Sequence, residues 1–140
     1  MTKNVTITVS GRQFDISEKP IEQTVCGTYY LKNGKHYVLY EELDEESKSV
    51  TKNRVKFHDG HFEMVKNGAV SSAMIFEENE DTNSKYTSGA GAVNMEIHTR
   101  LVDIIETEEL IHSKVRYSLG INGQFISECE VDFKVMAEKN

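Results

Sequence analysis

His58 and His61 bracket an Asp59-Gly60 step, and a two-residue turn there sets both imidazoles opposite each other on one face of a hairpin, a spacing able to chelate a transition metal. No third ligand lies nearby in sequence, so the pair reads as solvent-facing histidines at a turn and no metal is expected. Glu41 to Glu46 and Glu77 to Asp81 gather carboxylates, but neither run has the spacing or the central glycine of a calcium loop. Both read as solvated loops. Cys129 has no histidine placed to activate it, and the inward position derived below makes it a small buried hydrophobe rather than a thiolate nucleophile. No serine sits in a nucleophile elbow, and Gly89-Ala90-Gly91 lacks the lysine and the strand-helix setting of a phosphate cradle. These absences predict a protein that is not an enzyme and uses no cofactor.

What remains is a set of aromatic and methionine side chains suited to lining a closed space. Tyr29, Tyr37, Phe57, Phe62, Tyr117, Phe125 and Phe133, together with Met64, Met74 and Met95, are the candidate ligand-contacting residues. A barrel of about eight strands is just wide enough to be filled by such side chains or to hold one small ligand. The expected ligand is a small, largely apolar molecule. The alternative is a filled barrel that works as a protein-interaction or scaffold module.

The elements that position these residues are announced by four Asn-Gly or Asp-Gly steps, at Asn33-Gly34, Asp59-Gly60, Asn67-Gly68 and Asn122-Gly123. Such steps supply the positive φ that closes two antiparallel strands without splaying them. Between them lie alternating apolar and polar runs, at Gln23 to Leu31, His36 to Glu42, Val50 to His58, His61 to Lys66, Val70 to Glu77 and Ala92 to Ile105. Both faces of the first two runs carry apolar residues, which leaves open the question of which is inside. In the first strand the apolar phase passes from Val5, Ile7 and Val9 to Phe14 and Ile16, so Gly11 reads as a bulge. Asp44 to Ser49 reads as a charged loop and Glu78 to Ser84 as an acidic one, with a strand resuming at Tyr86. No segment sustains a 3.6-residue period, and nine or ten strands joined by short turns fit a closed barrel or a two-sheet sandwich.

The last three strands permit a register. If Thr107 to Glu109 form a three-residue loop, Thr99 faces Tyr117 and Leu101 faces Val115; if Ile121 to Gly123 form another, Val115 faces Cys129 and Tyr117 faces Ser127. The same register puts Arg116 against Glu128, Lys114 against Glu130 and His112 against Asp132 on the outer face.

The 140 residues make one domain, 1–140, whose Asp and Glu (23) outnumber its Lys and Arg (16) for a net charge of −7. That charge repels polyphosphate and anionic lipid, so neither nucleic acid nor a membrane is an expected partner. No apolar run approaches the ~18 residues of a membrane span. The N-terminus shows no secretory pattern, and the expected location is cytoplasmic, with Cys26 and Cys129 reduced.

At Gly27-Thr28-Tyr29-Tyr30, Tyr37 to Glu42, Lys66 to Val70, Met74-Ile75-Phe76 and Met95 to Thr99, the chain resembles the YwiB-like family of uncharacterised bacterial proteins, over about Thr28 to Val135. The resemblance implies a calycin-like β-barrel, distantly similar to lipocalins and avidins, with no established activity. Family members often carry a proline and an aromatic near Tyr86 to Gly91, where this chain has Ser88 and Ala90. The tryptophan of the lipocalin first strand is absent here. Periodicity and resemblance together predict an all-β, antiparallel up-and-down calycin-like barrel of about eight to ten strands.

Overall fold

In the computed structural model, which describes residues 3–14 and 19–138, Asn33-Gly34 and Asn122-Gly123 both have two successive residues at positive φ (52° and 75°, 50° and 83°). That is the type I′ turn, whose twist matches the strands it joins. The turns link ten strands: β1 (Asn4–Gln13), β2 (Ile21–Lys32), β3 (Lys35–Leu43), β4 (Val50–His58), β5 (His61–Asn67), β6 (Ser71–Glu77), β7 (Asp81–Ser88), β8 (Gly91–Glu106), β9 (Leu110–Ile121) and β10 (Gln124–Ala137). Each strand pairs antiparallel with the next, and β1 pairs with β10, so the sheet closes into a barrel with no free side. Closure removes the exposed edges that an open sheet of this size would present.

Successive turns fall at opposite ends. The lower end carries the β2–β3, β4–β5, β6–β7 and β8–β9 turns, and the upper end carries the rest. The lower half is solid. Phe57, Phe62 and Phe133 have no exposed surface, and Phe133 meets the other two edge-on at ring-centre distances of 6.0 and 5.5 Å. Phe76 closes against Phe62 at 6.0 Å. Each such ring contributes roughly 1.5–3 kcal/mol through burial alone. Gly27 serves this packing, because a Cβ there would strike the Leu39 carbonyl oxygen and the Ile7 side chain. The glycine lets β2 lie close against both neighbours.

Three expectations are corrected. Gly11 is not a bulge: its strand pairs without interruption on both sides, with Val131 and with Ile21. Of the residues that suggested a phase change there, Ile16 lies outside the described residues. The acidic stretch before Tyr86 is not all loop, since β7 begins at Asp81. There the hydroxyls of Thr82 and Ser84 donate to the carbonyls of Ile75 and Ala73, taking the place of ladder hydrogen bonds along much of the β6–β7 seam.

The register of the last strands is also displaced, by a definite mechanism. Ile121 pairs with Gln124 across a two-residue turn instead of a three-residue one, and a bulge between Phe125 and Ser127 adds a further step. The two single-residue shifts sum to two and preserve the face. Val115 therefore faces Val131, and Cys129 faces Tyr117. Cys129 still points inward, and the outer pairs become Arg116 with Glu130 and Lys114 with Asp132. Between β8 and β9 the expected pair of Thr99 with Tyr117 holds, and Ile97 pairs with Leu119 in the same register, but a bulge at Arg100 then turns Val102 inward in place of Leu101. That bulge lies where β8 outruns β7, and Glu78 receives the Val102 N–H left without a ladder partner (2.8 Å).

Candidate functional site

Above the phenylalanine plug the inward positions change character. Continuing the alternation of Val38 and Tyr40 along β3 brings Glu42 inside; continuing Phe62 and Met64 along β5 brings Lys66; and Asn53 extends the row of Phe57 and Val55 on β4. These three side chains bond one another. Lys66 Nζ donates to Glu42 Oε1 (2.6 Å) and to Asn53 Oδ1 (2.9 Å), and Asn53 Nδ2 donates to Glu42 Oε1 (2.7 Å). Burial pushes the Glu42 carboxyl up, but the Lys66 hydrogen bond and charge, with Asn53 and Gln23, outweigh it and hold the group below its usual range. The carboxylate in turn raises the Tyr40 hydroxyl, which burial has already moved far above its usual value.

Two cavities open from this network toward the upper end. One, of about 290 Å³, is walled by Glu42, Thr51, Lys66, Val70 and Tyr86. The other, of about 520 Å³, is walled by Val9, Gln23, Tyr117, Cys129 and Val131. They adjoin, since Gln23 on the wall of the second hydrogen-bonds Glu42 on the wall of the first. Gly11, on the inner face of β1, has open space where a Cβ would stand and widens the second cavity. Tyr117 rests on Phe76 at 4.8 Å, so the plug forms the floor. Burial, then the adjacent Cys129, drives the Tyr117 hydroxyl upward, so the phenol stays protonated near neutrality. The result is a half-barrel cup whose β1, β9 and β10 side is apolar at Val9, Tyr117, Cys129 and Val131 but is also bordered by Arg12, Gln13 and Glu130, and whose β3, β4 and β5 side is polar.

The lower end carries a different arrangement. The Tyr29 hydroxyl lies 2.7 Å from His36 Nδ1, and His36 Nε2 lies 3.3 Å from Glu106. A carboxylate can only accept, which places the imidazole proton on Nε2 and makes the tyrosine the donor to Nδ1. Burial lowers the His36 pKa and Glu106 partly restores it. The imidazole also stacks on Phe57 at 4.9 Å, which seals this end of the plug. Beside it a notch of about 1100 Å³ is bordered by Lys3, Tyr29, Tyr30, Leu31 and Thr107.

Eight of the ten candidate ligand-contacting residues face inward, but in four settings. Phe57, Phe62 and Phe133 form the plug, Met64, Met74 and Met95 pack across the middle, and Tyr29 borders the lower notch. Tyr117 alone among them walls the upper cup. Tyr37 is outside, stacked on Tyr30 at 4.8 Å, because on β3 its neighbours His36 and Val38 take the interior. Phe125 is also outside and 64% exposed, turned there by the two-residue β9–β10 turn and the bulge that follows it. His58 and His61 do pair across their turn, with rings stacked 4.7 Å apart, and His61 bonds Glu77 at 2.7 Å. Among the described residues no three His, Cys, Asp or Glu side chains gather as a metal site. The polar wall of Glu42, Asn53 and Lys66 was missed, although each lies an even number of residues from an inward apolar neighbour.

A family model described as a domain of unknown function, DUF1934, matches residues 5–133, and the chain belongs to that family. The uncharacterized beta-barrel protein YwiB of Bacillus subtilis (strain 168) is 26% identical over 110 residues, covering 79% of this chain and 76% of that protein. The crystal structure of the ywiB protein from Bacillus subtilis matches with a TM-score of 0.82 at 21% identity, over 98% of this chain and 93% of that one. That likeness is one of fold, and it agrees with the ten-stranded barrel.

Proposed function

We propose that this DUF1934-family barrel binds one small amphipathic molecule in the upper cup, its apolar body against Tyr117, Cys129, Val9 and Val131 and its polar end at Glu42, Asn53 and Lys66. The observation that supports this most is a charged pair turned into the barrel beside open volume. A buried ion pair is seldom a net source of stability, and well-packed apolar residues would close the barrel at least as well. A ligand with a polar end gives the pair a use. The largely apolar ligand expected from the sequence is thus narrowed to one with a polar terminus.

The reading treats the protein as a non-catalytic, calycin-like carrier in the cytoplasm, its two thiols free. Native mass spectrometry of protein purified from cells tests it first, by the mass of a retained small molecule. A neutral fluorescent probe, N-phenyl-1-naphthylamine, then reports the cup directly. Val131→Trp, which fills the larger cavity, is expected to abolish probe binding, and Tyr37→Ala on the outer face to leave it unchanged. Undiminished binding by Val131→Trp would refute the location. A second reading, a protein-interaction module, is favoured by the outer face of β2 and β3, where the stacked Tyr30 and Tyr37 share the surface with Leu39. Absence of any bound molecule or probe, with self-association lost in Tyr30→Ser, would favour that reading.

A further inference from the structure

We propose that the outer face of β2, β3 and β4 docks single-stranded RNA, with phosphates on Lys52, Arg54 and Lys56 and a base stacked on Tyr30, a function separate from the cup. On β4 the alternation turns these three cations outward, because Thr51, Asn53, Val55 and Phe57 take the interior. They follow one another about 6.5 Å apart along the strand. Across the ladder Lys56 pairs with Tyr37 and Tyr37 with Tyr30, while Arg54 pairs with Leu39. Tyr30 and Tyr37 stack at 4.8 Å with their planes 3° apart, and the Lys56 ammonium lies 5.8 Å over the Tyr37 ring. On its other side Tyr30 has no strand beside it among the described residues, since β1 begins at Asn4, opposite Thr28. The ring is 42% exposed and borders the lower notch of about 1100 Å³.

The cations of this face are unmatched. Among the described residues Lys32, Lys35, Lys52, Arg54 and Lys56 form no ion pair, whereas Lys66, Arg100, Lys114 and Arg116 each meet a carboxylate. The carboxylates within the face are Glu41 and Glu63, opposite Lys52 and Lys56, so positive charge is in excess. Asp59 lies in the β4–β5 turn, and Glu77 beyond β5 is held by His61. Burial and the charges of His61, Lys35 and Lys56 lower the His58 pKa against the pull of Glu77, which is the mark of a positive field at this end. The net charge of −7 belongs to the whole chain. Fields decay over about 8 Å at physiological salt, so a phosphate on β4 meets these cations and not the acidic surface elsewhere. A two-fold contact with a second copy would set cation against cation.

Two features select RNA among acidic partners. A stacked pair of tyrosines with one open face is a platform for a base, and an acidic peptide makes no comparable use of it. Glu106, Thr107 and Glu108 border the notch beyond Tyr30, with Lys3 beside them. The two carboxylates turn phosphates away from the notch and toward β4, roughly 10 Å across the sheet from β2. The base and sugar are left on the notch side, among acceptors to which a 2′-hydroxyl donates and a deoxyribose cannot.

The test is fluorescence anisotropy of a labelled uridine 12-mer at about 50 and about 200 mM salt. The native protein is expected to bind at roughly 1–100 μM, with a log–log salt slope of about −0.7 for each phosphate neutralised. Arg54→Ala/Lys56→Ala removes two such contacts, so binding should weaken at least about tenfold and the slope become shallower by about 1.4. Tyr30→Ala should weaken binding about fivefold or more at an unchanged slope, as the loss of a stacking platform does. Lys134→Ala, which removes an exposed lysine from β10, should do neither. All are surface changes that leave the fold intact. No binding at about 100 μM protein would overturn the proposal, as would an Arg54→Ala/Lys56→Ala protein that binds no worse than Lys134→Ala. A deoxyuridine 12-mer bound as tightly as the RNA would overturn the assignment to RNA. Displacement by polyglutamate or by phosphatidylglycerol vesicles, as effective as by unlabelled RNA, would give the face to another acidic partner and overturn it equally.

Discussion

Lys66→Met is the perturbation that best separates a wall kept for a ligand from one kept for stability. Lys66 is 23% exposed and Glu42 27%, and the lysine makes two charge-assisted hydrogen bonds, at 2.6 and 2.9 Å. Such bonds contribute roughly 1.5–3 kcal/mol each when buried, and partial exposure reduces this, so the single change should cost about 2–3 kcal/mol. For a domain of this length that is a fall of roughly 6–10 °C in melting temperature. The double variant Glu42→Leu/Lys66→Met removes both charges and should recover to within about 1 kcal/mol of the native protein. The residual belongs to Asn53, left with the Thr51 carbonyl at 3.4 Å. Urea unfolding at pH 7 measures all three proteins and a Glu42→Leu single, completing a double-mutant cycle with an expected coupling of about 2 kcal/mol. Acid adds a second reading with a definite sign. Glu42 has a depressed pKa in the folded protein, so its contribution is present above the ordinary carboxylate range and is lost as pH falls through the folded value. Without Lys66, burial dominates and the shift reverses, so the gap between native and Lys66→Met should narrow from pH 7 to pH 4. A double variant as unstable as the sum of its singles, or a gap that widens in acid, would refute the argument.

Met95→Trp is expected to lower stability by about 1–3 kcal/mol and leave probe binding in place, because Met95 is packed in the middle of the barrel and walls neither upper cavity; loss of probe binding at unchanged stability would contradict this. His36 should titrate by NMR below the usual histidine range, and Glu106→Gln should lower it further by removing the charge that partly offsets burial. Since the folded state disfavours the imidazolium, stability is full above about pH 6.5 and falls as pH drops toward the folded pKa. A His36 that titrates above its ordinary value would contradict the assignment. Cys26 should react quickly with a thiol reagent and Cys129 slowly, with a bound probe slowing Cys129 again, as mass spectrometry of labelled peptides would reveal.

The fold was legible because turn chemistry and alternation are local. Asn33-Gly34 and Asn122-Gly123 need no tertiary context to favour type I′ geometry, and the inward set of β9, Val115 and Tyr117 among it, follows from period two alone. Exact partners were not local in this sense. A two-residue turn and a bulge each shift the register by one, and their sum returns the β10 side chains from Ser127 onward to their expected face against new neighbours, while Phe125, before the bulge, is left outside. The face of Cys129 could therefore be read correctly while its partner was not. Where one shift stands alone, as at Arg100, the inward residue itself changes from Leu101 to Val102. Nothing in the composition of Arg100 announces a bulge; it arises because β7 ends and β8 does not.

The functional wall was hidden for a different reason. Reading alternation assigns polar residues to the outside, and that rule loses Glu42, Asn53 and Lys66 at the point where they matter. Their positions nevertheless continue the inward parity of Tyr40, Val55 and Met64, so periodicity located them correctly and hydrophobicity alone argued against them. All three also fall in the upper halves of their strands, the ends that the alternating turns bring to one mouth. Inward polar residues occur in the lower half too, at His36 and Ser113, but there they are sealed into the core. At the upper mouth Glu42, Asn53 and Lys66 instead bond one another around a partly exposed ion pair, above a base closed by phenylalanines.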